Sequence, residues 1–296
     1  MFPKISIVTP SYNQAQYLEE TILSVLNQNY PNLEYIIIDG GSSDNSVEII
    51  QKYSSYLKYW VSEKDTGQVN AINKGLSYCT GEIFNWLNSD DYLEKDILFK
   101  IAAYFEDNNI NLVAGGLRRF GKDLNEYIYN KNLNPSNLLC WNQGVQFAQP
   151  SAWVRKKNIE ICGGLDEHFH YAFDWDFYIR YLYFYPEVKY IPELVANFRL
   201  HEFSKTQSSL DKFAVEERII IKKIRNSTHY SDLHSVCNLK IKRTEWTFIL
   251  SDISKLNISF YNKVNLLFNK LSKYKEVAFS RQTIGAFNAF LKGRII

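Results

Sequence analysis

The stretch LNSDDYLEKD, residues 87–96, sets two aspartates side by side, Asp90 and Asp91, at the end of an apolar run. Like charges so placed repel, and paired carboxylates of this kind recruit a hard divalent cation, Mg²⁺ or Mn²⁺, whose remaining positions go to water and phosphate oxygens. The bland alternative is that they favour the N-terminus of a following helix. A second acidic cluster, HYAFDWDFYIRY (170–181), holds Asp174 and Asp176. Two apart on a helix they point in different directions, so at a helix start one can face a cleft while the other caps. His201, in NFRLHEFSKT, is either a metal ligand or a plain structural histidine. Asp39, followed by Gly40 and Gly41, either caps a turn or accepts hydrogen bonds from the edge of a flat heterocycle. Tyr12 could stack on such a ring or simply pack.

These residues fall at regular places once the elements are read. KISIVT (4–9) is a β-rich run, and 15–28 repeats Leu18, Ile22, Val25 and Leu26 at helical spacing. LEYIIID (33–39) is a continuous apolar strand of the kind buried on both faces, and Ser43 and Asp44 can cap the helix SVEIIQKY. LKYWVSE, GQVNAINKGLSYC and GEIFNWL read as strand, helix and strand. Such alternation implies a parallel sheet with right-handed crossovers. Ligands bind beyond the carboxyl ends of such strands. Those ends carry Thr9-Pro10-Ser11-Tyr12-Asn13, Asp39-Gly40-Gly41-Ser42, Glu63-Lys64-Asp65 and Asn88-Ser89-Asp90-Asp91, all on one rim. A helix DILFKIAAYFED and a strand NLVAGGLRRF follow, then an Asn-rich stretch (121–143) without a clear pattern. VQFAQPSAWV reads as a strand, RKKNIEIC as a helix, DWDFYIRYLYF as a helix and ELVANFRL as a strand. Beyond about residue 208 the pattern is Lys-rich and helical.

Composition narrows the class. With 46% hydrophobic residues, 7 Pro and 13 Gly in 296 residues, the chain is globular. The glycines do not spell GxGxxG or GxxxxGK[ST], which disfavours a dinucleotide or P-loop site. Four cysteines without CxxC spacing point away from a disulfide framework or zinc cluster and towards a reducing compartment. No secretory leader pattern opens the chain, and no run of about 18 uncharged apolar residues occurs, so a cytoplasmic protein is expected. The net charge of +2 hides an asymmetry: residues 211–296 carry 16 Lys and Arg against 7 Asp and Glu. A basic tail with apolar residues interleaved, its end (287–295) amphipathic, suits an anionic membrane surface. Nucleic acid is disfavoured, since no helix-turn-helix, zinc spacing or RNA-binding aromatic signature appears.

The stretches SIVTPSYNQAQYLEETILSVLNQNYPNLEYIIIDGGSSDNSVEII and WVSEKDTGQVNAINKGLSYCTGEIFNWLNSDD together resemble family 2 glycosyltransferases with the glycosyltransferase A fold. They look most like the bacterial enzymes that build O-antigen and capsule repeat units. The resemblance covers about residues 4–202. It implies a Rossmann-like, mostly parallel α/β sheet flanked by helices, with a catalytic domain over 1–207 (nucleotide-binding half about 1–95, acceptor half about 96–207) and a basic helical extension over 208–296. It implies that Thr9, Pro10, Tyr12 and Asp39 cradle a nucleotide, with Asp39 on uracil, and that Asp65, Gln68 and Asn73 complete the pocket. Asn88-Ser89-Asp90-Asp91 falls on the family's DxD-type motif, with Asn88 in place of the first Asp. Metal binding then rests on Asp90, supported by Asp91, with His201 as a further ligand. Phe173-Asp174-Trp175-Asp176 with Arg180 matches the family's acidic motif, Phe173 standing where the family has Glu. Asp174 is then the catalytic base and Asp176 the second choice.

The implied activity is inverting transfer of one sugar from a nucleoside diphosphate sugar, UDP-linked by preference, to a hydroxyl of a glycan acceptor. That acceptor would be carried on a polyprenyl diphosphate at the inner face of the cytoplasmic membrane. Trp153, His170 and Trp175 are candidate acceptor-pocket residues, each also readable as packing. Gly163-Gly164-Leu165-Asp166-Glu167 resembles the family's acceptor-side loop. Two departures, Asn88 and Phe173, keep open a catalytically weak nucleotide-sugar-binding protein of the same fold. A sugar nucleotidyltransferase lacks its Gly-rich basic loop here, and a processive synthase lacks its Q-x-x-R-W signature.

Overall fold

The computed structural model describes residues 2–141, 144–202, 204–205, 210–281 and 283–292. The first seven elements are β1 (Ile5–Ser11), α1 (Ala15–Leu26), β2 (Leu33–Asp39), α2 (Ser46–Lys52), β3 (Tyr59–Ser62), α3 (Gln68–Ser77) and β4 (Ile83–Trp86). They alternate as the apolar patterning requires. β1 pairs in parallel with β2 and β4, and β2 with β3. Every residue of β1 is buried, as expected of a central strand covered on both faces. α1 buries Leu18, Thr21, Ile22 and Val25, while Leu26 packs only partly. α3 lies close on β1: a Cβ on Gly75 would stand 2.5 Å from Val8 Cγ1, so glycine sets that approach.

The later elements are β5 (Tyr92–Leu93), α4 (Ile97–Tyr104), β6 (Leu112–Gly121), β7 (Leu124–Tyr129), α5 (Pro135–Cys140), β8 (Ala152–Arg155), α6 (Phe173–Phe184) and β9 (Val188–Arg199). The sheet runs β3-β2-β1-β4-β8-β6-β9-β5, with β7 on β6. It is mixed rather than mostly parallel in this half, because β8 runs antiparallel to both β4 and β6. Three sequence expectations change here. The strand read over VQFAQPSAWV is short, because a 3₁₀ turn at Gln149–Ser151 precedes β8. The helix read over RKKNIEIC is a 3₁₀ turn, Lys156–Asn158. The Asn-rich stretch contains β7, a hairpin partner of β6.

Contacts divide the chain into two compact units, Met1–Leu138 with Gln143–Glu216, and Leu139–Asn142 with Glu217–Ile296. The boundary falls inside a continuous helix, α7 (Leu210–Asn226). The second unit contains α8 (His234–Lys255), α9 (Phe260–Ala278) and α10 (Ile284–Leu291), around Trp246, Leu250, Leu267, Tyr274, Val277 and Phe290. No helix among the described residues is long and apolar enough to cross a membrane. All four cysteines are free and buried.

Candidate active site

The parallel register levels three strand ends: Ser11 stands opposite Asp39, and Asp39 opposite Ser62. Asp39 is fully buried. Its Oδ2 accepts from Gly41 N (3.1 Å), Ser42 N (2.8 Å) and Ser62 Oγ (2.7 Å), and its Oδ1 from Ser42 Oγ (2.5 Å). Asp39 therefore builds the Gly40–Gly41 turn, which is the bland reading of this residue. Thr9 is buried too, its hydroxyl 3.0 Å from Tyr35 OH. Its side chain packs into the core below the rim. Pro10 is likewise buried. Tyr12 is exposed with its ring free to stack, and Ser11 Oγ is buried without a protein hydrogen-bond partner among the described residues. Ser11 is a polar group at the rim to which sequence reasoning gave no role.

Asp65 Oδ1 accepts from Gly67 N (2.9 Å). Burial pushes its carboxyl up, the Gly67 N–H pulls it down, and nearby Asp39 adds to the rise. A Cβ on Gly40 would lie 2.8 Å from Asp65 Oδ2, so glycine lets the two acidic turns meet.

The acidic loop after β4 separates the roles of its residues. Asp91 is fully buried, Oδ1 accepting from Arg199 N (3.0 Å) and Oδ2 from Asn88 Nδ2 (3.2 Å). Thr21 Oγ1 donates to Asp91 O (2.6 Å) and Ser89 O (3.0 Å), and Ser89 is itself buried. Burial first, and the Asp90 charge second, push the Asp91 carboxyl well above the usual carboxylate range. Asp91 thus anchors the loop, and the expectation that it supports a metal gives way to a structural role. Asp90 faces His201 instead, Oδ2 to Nε2 at 3.0 Å. Arg199 donates from Nε to Asp90 O (3.2 Å), ion-pairs with Glu20, and lies over the rings of Tyr17 and Phe120 at 4.7 Å from each. Among the described residues no group of three or more His, Cys, Asp or Glu converges as a metal cluster. The candidate donor set is therefore one carboxylate and one imidazole. Its mixed oxygen and nitrogen chemistry fits a divalent ion such as Mn²⁺ that also takes phosphate oxygens and water.

The second acidic cluster resolves as sharply. Asp176 is fully buried and ion-paired with Arg180 (2.6 Å to Nη2, 2.8 Å to Nε). Arg180 in turn donates to Cys162 O and to Gly164 O (2.8 Å), clamping a turn whose Gly163 and Gly164 have φ of 81° and 65°. As a second choice of base Asp176 is replaced by this positioning role. Asp174, at the first turn of α6, is only partly buried, with Oδ1 accepting from Trp175 N (2.7 Å). Burial raises its carboxyl to about 6, against the Trp175 N–H and Lys205, while Glu216 adds to the rise.

Trp153 and Trp175 lie in the core, the latter donating from Nε1 to Leu138 O (3.1 Å), which accords with their reading as packing residues. Of those three candidates only His170 is exposed. Asn73 also departs from expectation: Nδ2 donates to Leu165 O and Glu167 Oε1, both at 2.9 Å, tying α3 to the 163–167 loop.

Two residues sequence reasoning missed knit these parts together. Lys205 Nζ donates to Gln68 Oε1 (2.9 Å) and His170 O (3.4 Å). Gln68 Nε2 donates to Asn88 Oδ1 (2.7 Å). This relay joins the acidic loop, the start of α3 and the approach to Asp174. Glu216 of α7 accepts from His170 N, Tyr171 N and Ala172 N, all at 2.8 Å. Its carboxylate thereby fastens the turn that leads into α6 from a helix far along the chain. Fastening by a carboxylate so distant leaves no local signature.

The pattern of glycosyl transferase family 2 matches residues 6–164, more than half of the chain. The chain belongs to that family. An uncharacterized glycosyltransferase of Haemophilus influenzae is 32% identical over 178 residues, which is 59% of this chain and 71% of that one. A chondroitin synthase of Escherichia coli is 28% identical over 226 residues, 71% of this chain but only 31% of that one. Relatives of this protein thus include enzymes of polysaccharide synthesis. Solved structures share the glycosyltransferase A fold at low identity. S. aureus TarS (residues 1–349) in complex with UDP superimposes at a TM-score of 0.65, with 18% identity over 98% of this chain and 92% of that one. The mannosyltransferase PcManGT from Pyrobaculum calidifontis, in complex with GDP-Man and Mn²⁺, superimposes at 0.59, with 15% identity over 99% of this chain and 86% of that one.

Proposed function

We propose that the protein transfers one sugar from a UDP-sugar to a hydroxyl of a growing surface glycan, with inversion at the anomeric carbon. The observation that carries the reading is the relay Asn88–Gln68–Lys205–His170, which connects the loop bearing Asp90 to the turn leading into Asp174. The nucleotide lies over the turns at Tyr12, Gly40–Ser42 and Asp65. Asp174 accepts the proton of the incoming hydroxyl as that oxygen attacks C1 from the face opposite the leaving group. One base and one direct displacement invert the centre. Asp90 and His201 would hold a Mn²⁺ or Mg²⁺ ion, whose charge would stabilise the departing diphosphate. Arg199 holds the Asp90 backbone in place, and Asn88 uses its amide in both directions, accepting from Gln68 and donating to Asp91. A carboxylate at position 88 could not donate to Asp91.

The acceptor in this reading is a glycan on a lipid diphosphate at the inner membrane face. The relationship to a chondroitin synthase supports the glycan, and the basic C-terminal region supports the membrane face. The test is thermal unfolding against a panel of UDP- and GDP-sugars, with Mn²⁺ and with EDTA, followed by transfer assays on the best donor. A stabilising UDP-sugar that needs Mn²⁺ is expected. Selective stabilisation by a GDP-sugar would overturn the donor assignment, and full activity in EDTA the metal one.

A further inference from the structure

The turn between α8 and α9 reads Lys255-Leu256-Asn257-Ile258-Ser259-Phe260-Tyr261-Asn262-Lys263. Its backbone is well fastened. Ser259 Oγ caps α9 through Asn262 N (3.3 Å), and Lys263 Nζ closes the end of α8 on Ser254 O (2.7 Å). Yet Leu256, Ile258, Phe260 and Tyr261 remain 43%, 40%, 50% and 73% exposed. A tight turn normally carries polar residues, so four apolar ones at a capped turn need a reason. The end of α10 arrives at the same place, since the Phe260 ring lies 6.3 Å from that of Phe290. It adds Leu291, exposed, and Lys292.

The sequence places the membrane surface on the basic tail as a whole, with residues 287–295 amphipathic, and only part of that stretch is exposed. Phe290 is buried and Phe287 packs on the core of the unit, while residues 293–296 lie outside the described residues. Phe248, Leu266, Phe268 and Phe279 of this unit are exposed as well, but the α8–α9 turn brings four exposed apolar side chains together within six residues, Leu256–Tyr261.

We infer that this turn, with the end of α10, is a docking surface for an anionic phospholipid bilayer. Leu256, Ile258, Phe260 and Tyr261 enter the boundary between headgroups and acyl chains, and the exposed Lys255 and Lys292 meet lipid phosphates. Asp252, one turn back on α8, is the opposing charge near the patch. A second copy of the chain is the weaker occupant, because it would bring the same lysines against each other. The inference deepens the membrane part of the proposed function and rests on it, but its test needs no acceptor.

The full chain is sedimented with vesicles of phosphatidylcholine alone and of phosphatidylcholine with phosphatidylglycerol, at low and high salt. The wild type should pellet with the anionic vesicles, about tenfold or more in preference to the neutral ones, and less at high salt. The combined Leu256→Ser, Ile258→Asp, Tyr261→Asp variant should lose at least about tenfold in vesicle affinity while keeping its melting temperature. The separate Lys255→Glu, Lys292→Glu variant should lose the anionic preference. Equal pelleting of wild type and variants, no wild-type binding, or a dimer in solution that the apolar variant dissociates would each overturn the inference. UDP release from a UDP-sugar, measured without vesicles, is expected to be unchanged in both variants. If vesicle binding holds while the wild type turns over no donor, the catalytic reading fails and the surface stands.

Discussion

Asp174 is held lightly for an acid at a helix start. Among the described residues only the backbone N–H groups of Trp175 and of Asp174 itself bind it, and burial raises its carboxyl to about 6. It is thus ionised at neutral pH yet basic enough to take a proton. Replacing it by Asn should lower kcat by about 10²–10⁴-fold and leave the donor KM nearly unchanged. The sign with pH follows: below about 6 the carboxyl is protonated and cannot accept, so the rate should fall as pH drops through that value. That limb should be missing from the residual activity of Asp174→Asn. A variant retaining both turnover and limb would remove Asp174 from the chemistry. Asp90, Asp174 and His201 could be singled out as candidates because their residue types, at strand and helix ends, suit cations and protons. The separation of Asp90 from Asp91, and of Asp174 from Asp176, was not. In each pair one carboxylate faces inward to a fixed partner, and sequence spacing alone does not tell which.

Among the elements, α7 has the widest effect on the site. Glu216 gathers three successive N–H groups ahead of Asp174, and its charge is one of the influences that raise Asp174. The other groups facing Asp174 are Lys205, which opposes the rise, and the Tyr178 phenol. Glu216→Gln keeps the shape but sets an amide NH₂ against backbone donors and removes the charge. Its kcat should drop, and the acidic limb of its rate profile should move to lower pH, because Asp174 loses a negative neighbour. A purely architectural Glu216 would lower the amount of folded enzyme without moving that limb. The βα alternation through β4 was readable from continuous apolar runs and caps. β7 was not, since a half-exposed hairpin strand in an Asn-rich stretch lacks the apolar continuity that marks a central strand. The loop 163–167 was readable as a turn, whereas its fastening by Arg180 and Asn73 depends on residues distant in sequence.

Across the whole molecule, the sheet has a chemical end and a fastening end. Asp39 closes β2 at the first, and Glu34 opens β2 at the second. Glu34 accepts from Ser6 Oγ (2.7 Å), Thr80 N (2.7 Å) and Thr80 Oγ1 (2.6 Å), with Lys4 at 3.4 Å. Burial alone would raise its carboxyl, but the Thr80 and Ser6 hydrogen bonds and Lys4 outweigh it and hold it at about 2. A folded value below the unfolded one adds stability above the unfolded value, and this is lost as pH falls towards 2. Glu34→Gln should therefore cost on the order of 2–3 kcal/mol at neutral pH, read by denaturant unfolding. The gap from wild type should narrow below about pH 4 and close near 2. A gap that does not vary with pH would assign the loss to packing. The charge division along the chain was legible from composition, but the place where the basic region exposes apolar side chains was not, because it depends on which aromatic residues the helices bury against each other.

The Glu216 fastening also bears on how this chain can be recombined with its relatives. A chimera cut where the lysine-rich composition begins would take the carboxylate that holds α6's entry turn from one parent and the turn from the other. Exchange of C-terminal regions between family members is therefore expected to succeed when the crossover lies beyond Glu216. Upstream of it, the donor helix must bring a carboxylate in the same register.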